Sequence, residues 1–177
     1  MNLITRVKNI LLQPKAEWPT IAAESATPQS IYVGYVMILA AIGPLALLLR
    51  MGIVAAIAQY LITLVVTFLL ALIVDALATI FGGEKNFVQS LKLVAYSYTA
   101  VWLAGVFRLI PGWGVLIGLL AMIYVLYTFY LGVPILKKCP QTLAALYTIV
   151  VMICAILLGF VLADMLMVAV IGSGLMG

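Results

Sequence analysis

Apolar residues follow one another along this chain in long uninterrupted runs separated by short polar punctuation. Five runs, 31–49, 53–81, 87–110, 115–136 and 143–171, each reach the length of about 18 or more residues that marks a membrane-crossing segment. At about 1.5 Å per residue even the shortest run nearly crosses a hydrocarbon core of about 30 Å as a helix. Inside that core every backbone amide needs an internal partner, which leaves helices or a closed barrel. A barrel demands alternation of lipid-facing and lumen-facing residues, and these runs do not alternate. The pattern therefore predicts an all-α integral membrane bundle of five transmembrane helices over 29–177, preceded by a short amphipathic segment over 1–28.

The links Arg50-Met51-Gly52, Gly82-Gly83-Glu84-Lys85-Asn86, Pro111-Gly112-Trp113-Gly114 and Lys137-Lys138-Cys139-Pro140-Gln141-Thr142 are helix-ending sequences, short enough to make neighbouring spans antiparallel. Residues 1–28 are too polar to span. They lack the compact apolar stretch and small-residue cleavage site of a secretory signal, so they are expected to be retained. Leu3, Ile4, Val7, Ile10 and Leu11 recur there at helical spacing, with Asn2, Arg6, Lys8, Asn9 and Gln13 on the other side. That is the pattern of a helix lying at the headgroup level and ended by Pro14. Trp18 and Pro19 open a second short turn, with the indole expected where water meets acyl chains. A frayed tail is the alternative, because so short a helix is marginal without the bilayer.

Composition strengthens the membrane reading: 67% of residues are hydrophobic and 8% charged, against about a quarter charged in soluble domains. There is no histidine. That removes a Ser-His-Asp triad, histidine-held metals and an imidazole acid or base, so no enzyme, metal or cofactor is expected. Cys139 and Cys154 form no C-x-x-C pair and read as ordinary thiols. The formal charge of +4 is scattered at the ends of apolar runs and forms no basic patch, which argues against a nucleic-acid partner. With alternate loops sharing a compartment, one side carries Arg6, Lys8, Lys15, Lys85, Lys92, Lys137 and Lys138, and the other only Arg50 and Arg108. The amino terminus is thus expected in the cytoplasm and the carboxyl terminus outside.

A charge at the centre of a span costs about 2.5–3.5 kcal/mol, so each one asks for a partner. Asp75 and Lys92 lie about 8–9 Å in from the same end of neighbouring spans. They either pair or sit at the interface with Lys92 snorkelling to the headgroups. By the same depth argument Asp164 can meet Arg108 at the opposite end, with Arg50 as a competitor. Tyr60, Thr63, Thr67, Ala71, Asp75 and Ala78 make a small and polar stripe on the second span. Gly114, Gly118, Ala121, Tyr124, Thr128 and Gly132 make another on the fourth, and Ala155, Gly159 and Ala163 repeat at the close-packing interval on the fifth. Tyr96 and Ser97 on the third span and Tyr124, Tyr127, Thr128 and Tyr130 on the fourth can converge. Either they form a midplane polar cavity that, with Asp75, admits an ion, a proton or a lipid headgroup, or they satisfy one another across a dry interface. Pro44 and Pro134 suit both readings.

Pro14-Lys15-Ala16-Glu17-Trp18-Pro19, Leu93-Val94-Ala95-Tyr96-Ser97, and Gly132-Val133-Pro134 followed by Lys137-Lys138-Cys139-Pro140 together resemble the bacterial branch of the Yip family, the Ypt/Rab-interacting membrane proteins. The resemblance covers nearly the whole chain. It implies five spanning helices, a cytosolic amino terminus and, for a bacterial member, the inner membrane. Two features depart from the family: the amino-terminal region is only 28 residues, and Ser97 is followed by Tyr98-Thr99-Ala100 where a proline is expected. Binding of a Rab-type GTPase, attributed to eukaryotic relatives, is not carried over. The expected function is a membrane scaffold or interaction protein whose partners are lipids, further copies of itself or other membrane proteins. A small oligomeric transporter or channel with a polar site near Asp75 and Tyr96 is the alternative.

Overall fold

The computed structural model describes residues 2–110 and 112–172, so Pro111 of the third link lies outside the described residues. All the described elements are helical. Five helices are long and apolar enough to cross a membrane: Pro28–Met51, Ile53–Leu77, Phe87–Leu109, Trp113–Leu136 and Gln141–Leu162, called here spans one to five. Gly52, at φ 84°, takes the left-handed conformation that folds span two straight back against span one. Span two ends at Leu77, short of position 81. Gly82, at φ 69°, reverses the chain there, and the Gly83 amide bonds back to the Ala78 carbonyl at 2.8 Å, closing the helix end.

Spans one and three are the irregular ones. Span one contains a π turn over Tyr32–Val36 and restarts at Ile42, with Pro44 in the first turn of the new segment. Span three breaks at Tyr98 and finishes as a 3-10 turn over Gly105–Leu109. Their backbones touch: a Cβ on Gly105 would lie 2.7 Å from the Gly43 Cα, so only glycine permits this crossing. Span three is also the most enclosed, with Leu91, Leu93, Val94 and Ala95 in the core, whereas Leu61, Val65 and Leu72 of span two face outward. An outward apolar surface is what a helix bathed in acyl chains should present.

The amino-terminal residues form two helices, α1 (Leu3–Leu12) and α2 (Pro14–Ala23). Asn2 caps α1, its side chain accepting from the Ile4 amide at 3.3 Å. Pro14 opens α2 at a position where a missing N–H costs nothing. The two helices pack on each other and into the bundle. Ile10, Trp18 and Ile21 are wholly buried, so this segment contributes to the core.

Candidate functional site

The polar groups of the bundle collect in two clusters, and each is built by a different set of helix ends. In the first, the Asp75 carboxylate on span two accepts from the Asn86 amide at 2.7 Å and the Ser90 hydroxyl at 2.9 Å. Both donors belong to the start of span three, where the positive end of the helix dipole favours an anion. Lys137, just past span four, reaches the same carboxylate at 2.9 Å and also donates to Ser90 Oγ at 2.7 Å. Its side chain is completely buried. Burial pushes the Lys137 ammonium below its ordinary value, and the Asp75 charge opposes that shift. Next to this cluster, Cys139 donates to the Phe81 carbonyl, and Phe81 stacks on Tyr147 with ring centres 4.8 Å apart.

The expected pairing of Asp75 with Lys92 does not form. Lys92 Nζ bonds to the carbonyls of Ile21 at 2.8 Å and Glu24 at 2.5 Å. Those carbonyls are left free where α2 ends, and an ammonium there meets the negative end of the helix dipole. Gln89, one turn away on span three, donates to the Ala22 carbonyl at 3.2 Å. Lys92 is therefore not the partner of Asp75; it is 2% exposed and clamps the arm.

The second cluster is centred on Arg6. Its guanidinium bridges the carboxylates of Glu17 and Glu24 and lies 5.5 Å from the centre of the Tyr96 ring. Asn9 donates to the other Glu17 oxygen at 3.0 Å. Tyr96 in turn packs on Tyr35 with ring centres 4.5 Å apart, and the Tyr35 hydroxyl bonds to Thr99 Oγ1 at 2.6 Å. Arg6 and Trp18, expected to face the membrane surface, are enclosed by the protein itself: Arg6 is 4% exposed and Trp18 is fully buried. The Trp18 indole N–H reaches the Thr128 carbonyl at 3.0 Å, so its one polar atom is satisfied inside the protein. Lys8 does remain exposed.

Span four supplies the seat for the arm. The Tyr124 hydroxyl donates to the Leu11 carbonyl at 2.7 Å. A Cβ on Gly132 would lie 2.6 Å from Leu93 Cδ1 and 2.8 Å from the Trp18 ring, so the glycine is the recess into which the indole fits. Tyr127 makes no hydrogen bond to the arm among the described residues; its ring centre lies 5.8 Å from that of Tyr124, and it is 43% exposed on the outer face. Ser97 is buried with no hydrogen-bond partner for its hydroxyl among the described residues. Asp164 is exposed, and neither Arg108 nor Arg50 bonds to it. Arg50 donates instead to the Arg108 carbonyl at 2.7 Å, an acceptor left open where span three ends. Equal depth placed these charges at one end of the bundle without placing them on facing helix sides. The Ala163 side chain lies outside the described residues.

No group of three or more metal-ligating side chains occurs among the described residues. A family model for the Yip1 domain matches residues 8–163, a stretch running from α1 to the end of span five. This chain belongs to the Yip1 domain family. Neither a curated protein nor a solved structure matches it. Both polar clusters fall inside the matched stretch, apart from Arg6, so the Yip1 domain here comprises the five spans together with most of the docked arm.

Proposed function

We propose that this Yip1-domain protein is a scaffold or interaction protein of the plasma membrane, in a bacterium the inner membrane, with the arm on the cytoplasmic side. The observation that carries this reading is how the interior charges are used. Arg6, Glu17, Lys92, Asp75 and Lys137 each bond to another element of the same chain, and together they fasten α1, α2 and spans two, three and four. A transport route needs a polar group free to exchange partners with a moving ion or solute. Here Asp75 and Tyr96 belong to separate, internally bonded clusters. The side chains that remain available to partners include the apolar faces of spans two, four and five. These suit lipids, neighbouring membrane proteins or further copies of the chain.

The cation distribution supports the orientation. Lys85 and Lys138 lie in links at the arm's end, and only Arg50 and Arg108 lie at the other. The deciding experiment pairs two measurements on the full chain. Proteoliposomes should carry no proton, cation or phospholipid traffic above empty vesicles, and cross-linking in native membranes should capture a defined protein neighbour. Flux that disappears in Asp75→Asn protein, with no neighbour captured, overturns the scaffold reading.

A further inference from the structure

The end of the bundle away from the arm is loosely packed. Three adjoining cavities occupy it, with volumes of about 740, 410 and 440 Å³, within the range of about 300–1,000 Å³ typical of ligand pockets. The first two share Val101, Gly105, Arg108 and Met122 as walls, and the second and third share Val66, Tyr98, Met122 and Gly159. The walls are stripped of bulk in a specific way. A Cβ on Gly118, in the second turn of span four, or on Gly159, near the end of span five, would meet nothing within 4 Å.

The polar component of this space is equally specific. Arg50 and Arg108 both line the first cavity, and Arg108 lines the second as well. The close crossing of Gly43 and Gly105 fixes the base of Arg108 and lays its guanidinium over Gly43, 3.8 Å from where a Cβ would be. The bond from Arg50 to the Arg108 carbonyl holds the two segments together. Among the described residues no acidic side chain lies within ion-pair reach of either arginine. Elsewhere in the molecule the buried cations Arg6 and Lys137 have carboxylate partners and Lys92 bonds to two backbone carbonyls. Two guanidiniums without carboxylates, beside apolar volume that opens through Met122, Ile156 and Phe160 to the acyl-chain region, call for a ligand with an anionic head and hydrocarbon tails.

We propose that this end of the bundle binds an anionic phospholipid, with Arg50 and Arg108 holding its phosphate and the adjoining cavities taking its acyl chains. The forked guanidinium matches two phosphate oxygens at once, which a lysine in the same place does not. The glycines at 118 and 159 leave room for the chains inside the helix wall, and the third cavity, rimmed by exposed side chains, is the lateral entrance from the bilayer.

The test is a titration of the purified full chain with dioleoylphosphatidylglycerol, followed by native mass spectrometry. The expected result is saturable retention of lipid that weakens by about tenfold or more when Arg50→Gln and Arg108→Gln are combined, as loss of a charge-assisted bidentate contact requires. Lys85→Gln with Lys138→Gln removes the same charge at the opposite end and should leave retention unchanged. Gly118→Leu and Gly159→Leu add apolar bulk beside the cavities, from Cβ positions that meet nothing within 4 Å, and should also reduce retention. Should a glycine variant fail to fold, the arginine variants decide, since both side chains are exposed. Equal loss in the lysine variant means general attraction to charge and overturns the site. Equal retention of dioleoylglycerol or dioleoylphosphatidylcholine also overturns it, because the anionic head would then be irrelevant. Displacement of the lipid by equimolar inorganic phosphate assigns the arginines to a free anion and overturns the lipid claim.

Discussion

Replacing Asp75 by asparagine keeps the size of the side chain and removes its charge, which makes it a direct probe of how the bundle is tied together. The carboxylate accepts from a backbone amide, a hydroxyl and a buried ammonium, so three elements lose a shared anchor. At the observed 2.9 Å between Lys137 and Asp75, and an effective dielectric of about 20, the gross attraction is about 6 kcal/mol. Taking the lysine out of water offsets several kcal/mol of this, leaving a net coupling of about 2 kcal/mol. Asp75→Asn strands the fully buried ammonium and should cost about 3 kcal/mol. Lys137→Met should cost less, about 1–2 kcal/mol, because Asp75 is partly exposed and keeps its contacts with Asn86 and Ser90. The double variant should then be nearly as stable as Asp75→Asn alone. Reversible unfolding in mixed micelles of increasing denaturing-detergent fraction measures all four proteins. Losses that add, with coupling below about 0.5 kcal/mol, refute the anchor. The parallel cycle of Asp75→Asn with Lys92→Met should add within that limit, because those two residues do not meet.

Three other outcomes follow from the same geometry. Arg6→Ala leaves Glu17 buried without its cation and should cost about 3 kcal/mol or more; limited proteolysis should then cut between α1 and α2 faster than in the wild-type chain. Gly132→Ala pushes a methyl into Leu93 and Trp18 and should cost about 1–3 kcal/mol, with the Trp18 emission moving to longer wavelength in a Trp102→Phe, Trp113→Phe background as the indole meets water. Cys139 is buried and its thiol is pushed up from the ordinary value, so the reactive thiolate is scarce at neutral pH. In a Cys154→Ala background its maleimide labelling should run at least about tenfold slower than that of a free thiol and rise with pH; labelling at the free-thiol rate would contradict the burial.

The spans were legible because lipid leaves so little choice: a continuous apolar run must be a helix, and short links must return it. The partners of the interior charges were not legible, and the reason is geometric. Distance along a helix sets depth, so Asp75 and Lys92 could be assigned to one end, but depth says nothing of direction around the axis. Asp75 meets Lys137, a residue that reads as part of a polar link, and Lys92 meets carbonyls whose availability depends on where α2 stops. The docking of the arm was hidden for a related reason. Its apolar spacing is truly helical, but a polar helix face can meet other polar groups as well as water. Arg6, Glu17 and Glu24 have complementary charges, and that signal was present in the sequence. The small-residue row on span four was visible too; that Gly132 in it receives an indole emerges only from the packing.

The seat of Trp18 has a bearing on how the molecule is made. Its neighbours Leu93, Thr128 and Gly132 lie far downstream, so the arm leaves the ribosome long before its resting place exists. Until span four is inserted, Arg6 and the indole must wait outside their seat, and a segment synthesised early is among the last to settle. A bulky fusion at the amino terminus therefore threatens completion of the fold more than one at the opposite end.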